Sequence, residues 1–153
     1  MKAIEVINLE KKFLASEGTI QALNNVNFSI KKGEFWGIIG ESGSGKSTLL
    51  NILGTLDSPT SGKVLIDGKD PFSFNDKDIS LFRNKHIGFV FQQNNLLPEF
   101  SALENVMMPA LISGTSYSNA LKKAKELLEK VNLSTRLEHF PSQLSGGEQQ
   151  RVA

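Results

Sequence analysis

The sequence predicts an α/β fold, and three observations lead to that prediction. An apolar run at 35–39 stops at a glycine, passes into a Gly/Ser loop and continues from about Lys46 as an apolar stretch with helical spacing. Segments with the apolar patterns of strands precede and follow this unit. From about residue 101 the spacing of apolar residues becomes helical. We therefore expect an α/β part over residues 1–95 and a smaller helical part over residues 96–153.

Strand patterns fill the N-terminal part of the chain. Residues 2–9 alternate apolar and polar positions, and residues 19–30 form a second apolar-rich segment. Phe13 lies between them and has two interpretations, a core residue at the end of a strand or an aromatic plate for a nucleobase. Residues 64–66 predict a short strand that closes at the Asp-Gly turn pair of residues 67–68.

The loop after the apolar run fits the phosphate-loop pattern G-x-x-x-x-G-K-[ST] at residues 40–47. Its glycines let successive backbone amides converge on phosphate oxygens, and the helix that follows directs the positive end of its dipole to the same anion. Lys46 would reach the terminal phosphates, and Ser47 would offer its hydroxyl to Mg²⁺. The alternative is an ordinary glycine-rich turn. The flanking elements favour nucleotide binding.

Two further segments complete the α/β part. Residues 75–78 can cap a short helix over the apolar positions that follow. Residues 87–91 form a compact apolar run that predicts a strand, and polar amides follow at 92–95. Those amides either orient water or a metal beside the phosphate loop or belong to a solvated loop, and the pattern alone favours the solvated loop.

The helical part carries its own start signals. Ser101 and Glu104 form a capping box, S-x-x-E, that opens one helix. Apolar residues at helical spacing over 121–131 predict another, with its lysines on a solvated face.

Composition limits the classes of function. Lys and Arg total 17 against 16 for Asp and Glu, a net charge of +1, so no global field recruits nucleic acid or an anionic membrane. The absence of cysteine excludes disulfides and thiolate metal sites. The N-terminus lacks the apolar core of a signal peptide, and no apolar run approaches the ~18 residues of a membrane helix. We expect a soluble protein that reaches a membrane only through a partner.

A second motif, LSGGEQQR, occupies residues 144–151. Ser145 and Glu148 form another capping box, which predicts a helix start. Gly146 and Gly147 leave that start without side chains, so its amides can approach an anion closely. The alternative is a well-capped helix with a flexible lead-in. Downstream of a phosphate loop, the motif is strong evidence for nucleotide chemistry.

The whole chain resembles the nucleotide-binding subunits of ATP-binding-cassette (ABC) transporters. The resemblance rests on GESGSGKS at 40–47, VFQQ at 90–93 and LSGGEQQR at 144–151, in that order. The stretches LDSPTSGKVLIDG and NNLLPEFSALENV are similar to the lipoprotein-releasing (Lol) branch, with macrolide and peptide exporters close behind.

The resemblance implies a fold, a cofactor and partners. The fold is a P-loop NTPase core with an N-terminal antiparallel β subdomain and a small helical subdomain. Mg²⁺ and ATP are the implied cofactors, and hydrolysis of the ATP would power transmembrane permease subunits. A head-to-tail homodimer would form on ATP binding, with no nucleic acid involved. The implied location is cytoplasmic, peripheral on the cytoplasmic face of the inner or plasma membrane.

The resemblance also implies roles for single residues. Phe13 matches the aromatic position that stacks on adenine. Gln92 matches the glutamine that touches the metal and the attacking water and links to the permease. Lys46 and Gln92 are thus the catalytic candidates, and Ser47 and Gln92 are the metal candidates. The residues that match the phosphate and Mg²⁺ loop are Gly40, Glu41, Ser42, Gly43, Ser44, Gly45, Lys46, Ser47 and Thr48.

Two further groups of residues match functional surfaces of the family. The residues that would grip the γ-phosphate of ATP on the other subunit are Ser145, Gly146, Gly147 and Glu148. Glu148 stands where Gln is more usual. Five apolar residues lie where members of the family bind the permease, and they are Leu96, Leu97, Phe100, Met107 and Met108. They either dock the permease or pack in the core.

Members of the family continue past the position of Ala153 into a strand ending in Asp-Glu and then a switch His. His86 and His139 both precede the signature and do not match that His. Because phosphoryl transfer depends on these parts acting together, we expect the 153 residues to bind Mg-ATP weakly without useful turnover. We also expect open strand edges and apolar faces, and therefore self-association or marginal stability, in a truncated part of a longer ATPase.

Two other classes of function compete with the transporter ATPase. A GTPase or small-molecule kinase is disfavoured, since the guanine-selecting N-K-x-D is not found and Asn84-Lys85 is followed by His86-Ile87. A nucleotide-binding module without hydrolysis stays open for these residues. A panel of nucleotides separates the first from the ATPase, and a turnover assay separates the second. The transported substrate belongs to the permease.

Overall fold

A computed structural model of the chain describes residues 1–16 and 18–153. These residues fold as two compact units, Met1–Arg83 and Asn84–Ala153. The first unit contains the sheet and the phosphate loop, and the second contains the helices of the C-terminal part. The division into an α/β part over 1–95 and a helical part over 96–153 stays a prediction.

A three-stranded sheet with the strand order β2-β1-β3 underlies the first unit. β1 spans Lys2–Ala15, β2 spans Gly18–Lys31 and β3 spans Ser61–Ile66, and β1 pairs antiparallel with both neighbours. Side chains of a regular strand alternate between its two faces, and an irregularity of register between Val6 and Leu9 lets β1 bury both of these residues although they are three positions apart. The buried apolar residues of the sheet are Val6, Leu9, Leu23, Val64 and Ile66. The predicted antiparallel β subdomain is confirmed.

Two helices flank β3 in the sequence. α1 spans Lys46–Leu53 and α2 spans Asp76–His86. The predicted cap of α2 is present, because the side-chain oxygen of Asn75 accepts a hydrogen bond from the amide of Asp78 at 2.9 Å. A short 3₁₀ turn at Pro71–Ser73 precedes it.

Two predicted strands are wrong. Residues 35–39 and 87–91 run without the ladder hydrogen bonds that define a strand. A strand exists through bonds to a neighbouring strand, and within the described part of the chain neither segment pairs with one. The apolar pattern is therefore present without the partner that would make it a strand. Phe35 and Ile39 remain 98% and 94% exposed.

Three helices make up most of the second unit. α3 spans Ala102–Ile112, α4 spans Tyr117–Lys130 and α5 spans Gly146–Val152, with a 3₁₀ turn at Pro141–Gln143 before α5. Side chains from all three helices and the intervening loops form one core. Its members include Leu103, Met107, Ala124, Leu128, Leu133, Leu144 and Val152.

The start of α3 agrees with its sequence signal. The Ser101 hydroxyl accepts from the amide of Glu104 at 3.3 Å, and the Glu104 carboxylate accepts from the amide of Ser101 at 2.8 Å. That backbone bond lowers the pKa of Glu104. For Met107, core packing is the correct interpretation, whereas Leu97 remains 43% exposed. Among the helices that the structure describes, none has the length and apolar character needed to cross a bilayer.

Candidate functional site

The phosphate loop leads into α1 through a glycine. Gly45 is the N-cap of the helix and adopts a left-handed backbone, with φ of 88°. Its carbonyl accepts the first helical hydrogen bond, from the amide of Leu49 at 2.9 Å. Because Gly45 has no side chain, it cannot cap the amides of the first turn. Those amides are available to an external acceptor.

Gly45 also lies in close contact with strand β2. A methyl group at this position would lie 2.5 Å from the carbonyl oxygen of Ala22 and 3.1 Å from Cδ2 of Leu23. The approach depends on a β-bulge: Lys11 pairs with Leu23 and Lys12 with Gln21, which leaves Ala22 without a partner of its own. Only glycine fits both the backbone angle and the space.

Lys46 is folded back over the loop. Its Nζ donates hydrogen bonds to the carbonyl oxygens of Gly40 at 2.9 Å and Glu41 at 2.5 Å, and it lies 3.4 Å from Oγ of Ser44. The cation thus lies within a loop whose helical end has available amides. A cation and free amides in one glycine-bearing loop fit a phosphate group, and the hydroxyl of Ser47 on the first turn of α1 fits a hard cation beside it.

Phe13 lies at the surface of the β1–β2 hairpin. It pairs across the hairpin with Ile20, and its ring is 41% exposed, so its interpretation as a core residue is wrong. The ammonium of Lys11 lies over this ring, 4.9 Å from its centroid. The same ammonium donates to a carboxylate oxygen of Asp57 at 2.6 Å. Sequence reasoning missed Lys11 and Asp57, which are far apart in the chain.

Gln92 belongs to the second unit and lies in a bend, where it is exposed. The residues around it are tied to α5. The side-chain amide of Asn94 donates to Oε1 of Gln149 at 3.0 Å, and the side chain of Gln150 donates to the carbonyl of Phe91 at 3.4 Å. Asn94 is therefore hydrogen-bonded within the unit, whereas Gln92, Gln93 and Asn95 are exposed, as the solvated-loop interpretation predicts.

The signature stretch, residues 144–151, begins α5 with the predicted capping box. The hydroxyl of Ser145 accepts from the amide of Glu148 at 3.3 Å, and Oε2 of Glu148 accepts from the amide of Ser145 at 2.8 Å. Oε1 of the same carboxylate accepts from Nε of Arg136 at 3.0 Å. The backbone bond from Ser145, with help from Arg136, lowers the pKa of Glu148 to about 2.

Gln149 holds the turn that precedes this helix. Its side-chain nitrogen donates to the carbonyl oxygens of Pro141 at 2.8 Å and Leu144 at 3.1 Å. One amide side chain therefore joins the signature turn, the 3₁₀ turn and the loop after 87–91. The capping box could be read from spacing. The role of Gln149 could not, because its partners are defined only in the folded unit.

The candidate residues fall into two groups. Residues 40–48 and Phe13 belong to the first unit, where Ala22 of the hairpin contacts the loop. Gln92 and residues 145–148 belong to the second unit, where α5 is bonded to the segment 91–94. The direct contact of each with a nucleotide stays a prediction.

Comparison with known proteins gives the family. Residues 23–153 match the protein family described as ABC transporter. The chain is 55% identical over 150 residues to the lipoprotein-releasing system ATP-binding protein LolD of Syntrophus aciditrophicus, covering 98% of this chain and 67% of that protein. It is 53% identical over 150 residues to the protein of the same description from Geobacter metallireducens, with the same two shares covered.

A solved structure agrees with the sequence relatives. The chain superposes on the dimeric post-hydrolysis state of the ATP-binding cassette MJ0796 bound to ADP and Pi, with a TM-score of 0.88 and 46% identity, over 97% of this chain and 66% of that one. The chain thus spans about two thirds of the length of the proteins that it matches. On this evidence, the chain belongs to the ABC transporter family, with the fold of its ATP-binding cassette.

Proposed function

We propose that residues 40–48 bind the phosphates of Mg-ATP and that Phe13 stacks on the adenine. The observation that carries the proposal is the arrangement of Lys46 and Gly45, a cation turned into the loop beside uncapped amides of α1. An anion at that point would meet both the ammonium and the positive end of the helix. The cassette to which the chain is similar is described with ADP and Pi bound, which supports the assignment.

Lys46 and Ser47 have separate tasks in this proposal. Lys46 would exchange its bonds to the loop carbonyls for bonds to the terminal phosphates, as a mobile point charge. Ser47 would direct its hydroxyl to the metal from the first helical turn. Bound Mg²⁺ would neutralise developing charge on the phosphates. Gln92 would contact the metal and orient the attacking water, a role that rests on its match to the family position.

The signature residues Ser145, Gly146, Gly147 and Glu148 would meet the ATP held by a second copy of the chain, in a head-to-tail homodimer. The description of the similar cassette as dimeric supports self-association. The exposed glycines Gly146 and Gly147 leave the backbone at the start of α5 accessible. Glu148 would also hold this turn in shape beside that ATP, because its carboxylate oxygens are bonded to Ser145 and Arg136.

The whole protein would use ATP hydrolysis to power transmembrane permease subunits from the cytoplasmic face of the membrane. The relatives named for lipoprotein release favour that process over macrolide or peptide export. A net charge of +1 gives no general attraction to nucleic acid. The family and the dimeric cassette support the permease and a second copy as the partners.

Calorimetric titration of the purified chain with Mg-ATP, in wild type and Lys46→Met, tests nucleotide binding. We expect binding by the wild type and at least about a tenfold loss in the variant, since a charge-assisted contact to phosphate disappears. Lys77→Met, an exposed lysine on α2, is the control and should bind as the wild type does. Equal affinity of wild type and Lys46→Met would refute the assignment.

Two further measurements separate the competing functions. Stacking on Phe13 predicts similar affinities for ATP and GTP, whereas a GTPase would bind GTP far more tightly. The expectation that the 153-residue polypeptide binds without useful turnover also stays a prediction. Phosphate release by that polypeptide, lost on Lys46→Met, would contradict it.

A further inference from the structure

Lys11 holds an unusual position between an acid and an aromatic ring. Its side chain is only 12% exposed, although lysines are ordinarily solvated. The ammonium donates to Oδ1 of Asp57 at 2.6 Å and to the carbonyl of Ser58 at 2.7 Å, and it lies 4.9 Å from the centroid of the Phe13 ring. The three contacts surround the cation and fix it against one part of the ring.

The acid that holds Lys11 is itself tied to the phosphate-loop helix. The amides of Leu56 and Asp57 both donate to the carbonyl of Asn51, in α1, at 2.8 and 3.3 Å. The position of the Asp57 backbone therefore follows the position of α1. A chain of contacts runs from α1 through Asp57 and Lys11 to the ring of Phe13.

A second path joins Lys11 to the same loop. In the β1–β2 hairpin, Lys11 pairs with Leu23, whose side chain lies against Gly45. Phe13 lies two residues further along β1, about 7 Å at the usual rise of a strand. The hairpin pairing and the Asp57 contact therefore both fix the position of the Phe13 ring relative to the phosphate loop.

We propose that Lys11 is a positioning residue for the nucleobase, holding the Phe13 ring at a set place and tilt relative to the phosphate loop. The proposal rests on the proposed binding of ATP at residues 40–48. Lys11 differs from Lys46 as a phosphate ligand, because its side chain is only 12% exposed and its ammonium is paired with the carboxylate of Asp57 rather than with carbonyl oxygens alone. Lys11 contributes only to binding of the base. The affinity for a ligand that has phosphates but no base should therefore not depend on Lys11.

The test compares Mg-ATP with inorganic tripolyphosphate plus Mg²⁺, both titrated into the purified chain. In Lys11→Met we expect affinity for ATP to fall about threefold to tenfold, as loss of a cation–π contact and its anchor implies. Affinity for tripolyphosphate should stay within about twofold. Lys12→Met is the matched control, since Lys12 is the next residue of the strand, is exposed, and pairs with Glu10 at 3.4 Å instead of contacting the ring. It should change neither affinity.

Further variants make the outcome decisive. In a Phe13→Leu background, Lys11→Met should have no additional effect on ATP, whereas an undiminished effect would overturn the proposal. An equal loss for both ligands, or no loss for either, would overturn it as well. If Lys11→Met does not fold, Asp57→Asn replaces it, with the same split between ligands expected. Failure of the wild type to bind tripolyphosphate and ATP alike would instead refute nucleotide binding itself.

Discussion

Arg136 donates from Nε to Oε1 of Glu148 at 3.0 Å and thereby joins the loop after α4 to the first turn of α5. The other oxygen of Glu148 is bonded to the amide of Ser145. A carboxylate beside the phosphate site that we propose here would repel the ligand, and the guanidinium offsets that charge. The ion pair gives a physical reason why a carboxylate is compatible with the start of α5 at this position.

The pKa of Glu148 predicts a pH dependence of stability. Its folded value of about 2 lies below the ordinary 4.5, so the charged form is favoured in the folded state. The group therefore stabilises the fold above about pH 4.5, and this contribution disappears as the pH falls towards 2. Urea unfolding of wild type and Glu148→Gln measures it. The difference in free energy of unfolding between them should be constant at neutral pH and change only in that acid window.

The comparison cancels the other acids of the chain. Glu34 and Glu104 also have lowered pKa values, but they are identical in both proteins. A difference that stays flat from pH 6 to about 2 would show that the Glu148 contacts do not favour its charged form.

Gly45 and Gly43 predict different effects of the same substitution. Both have left-handed backbones, with φ of 88° and 81°, but a methyl group at Gly45 would meet the carbonyl of Ala22, whereas at Gly43 it would meet open space. Gly43→Ala should cost about 1–2 kcal/mol of unfolding free energy from backbone strain alone. Gly45→Ala should cost about 3 kcal/mol or more, since strand β2 must also move. Thermal or urea unfolding measures both, and equal costs would refute the close packing.

Arg83 is predicted to stabilise a strained residue after α1. Thr55 is buried and β-branched, yet has φ of 58°. Arg83 donates to its hydroxyl at 2.9 Å and to its carbonyl at 2.6 Å. Arg83→Met should lower the free energy of unfolding by about 1–3 kcal/mol, because both buried acceptors lose their donor. Lys77→Met on the same helix should leave the urea midpoint unchanged, and a similar loss there would contradict the assignment.

Two adjacent leucines of α4 test the core of the second unit. Leu128 is 1% exposed and Leu127 is 43% exposed. Leu128→Ala should cost about 2–5 kcal/mol by leaving a cavity, and Leu127→Ala about 1 kcal/mol or less. Chemical denaturation followed by circular dichroism measures the pair. Comparable losses would mean that α4 does not pack through the face that carries Leu128.

Local signals were sufficient for the starts of α2, α3 and α5, whereas α4 begins at Tyr117, before the residues 121–131 that the apolar spacing predicts, and has no side-chain cap. The capping boxes at Ser101 and Ser145 and the cap at Asn75 are all present, because each depends on residues three positions apart in the chain. The phosphate loop could be predicted for a similar reason, since its pattern encodes a turn and the start of α1.

Features that depend on distant residues could not be predicted. The apolar runs at 35–39 and 87–91 are typical of strands, but a strand also needs a partner, and the pattern carries no information about one. The Lys11 contact with Asp57 joins residues 46 positions apart, and neither side chain stands in a recognisable motif. The role of Phe13 rests on the family resemblance, whereas its exposure is evident only in the fold.

Because of the bulge at Ala22, the position of the Phe13 ring depends on the number of residues in the hairpin as well as on their identity. Adding one residue to β1 between Leu9 and Phe13 would turn the aromatic ring to the opposite side of the sheet, because side chains alternate along a strand. Adding two would keep its side but move it by about 7 Å. The number of residues between the bulge and the ring therefore fixes both the face and the position of the ring.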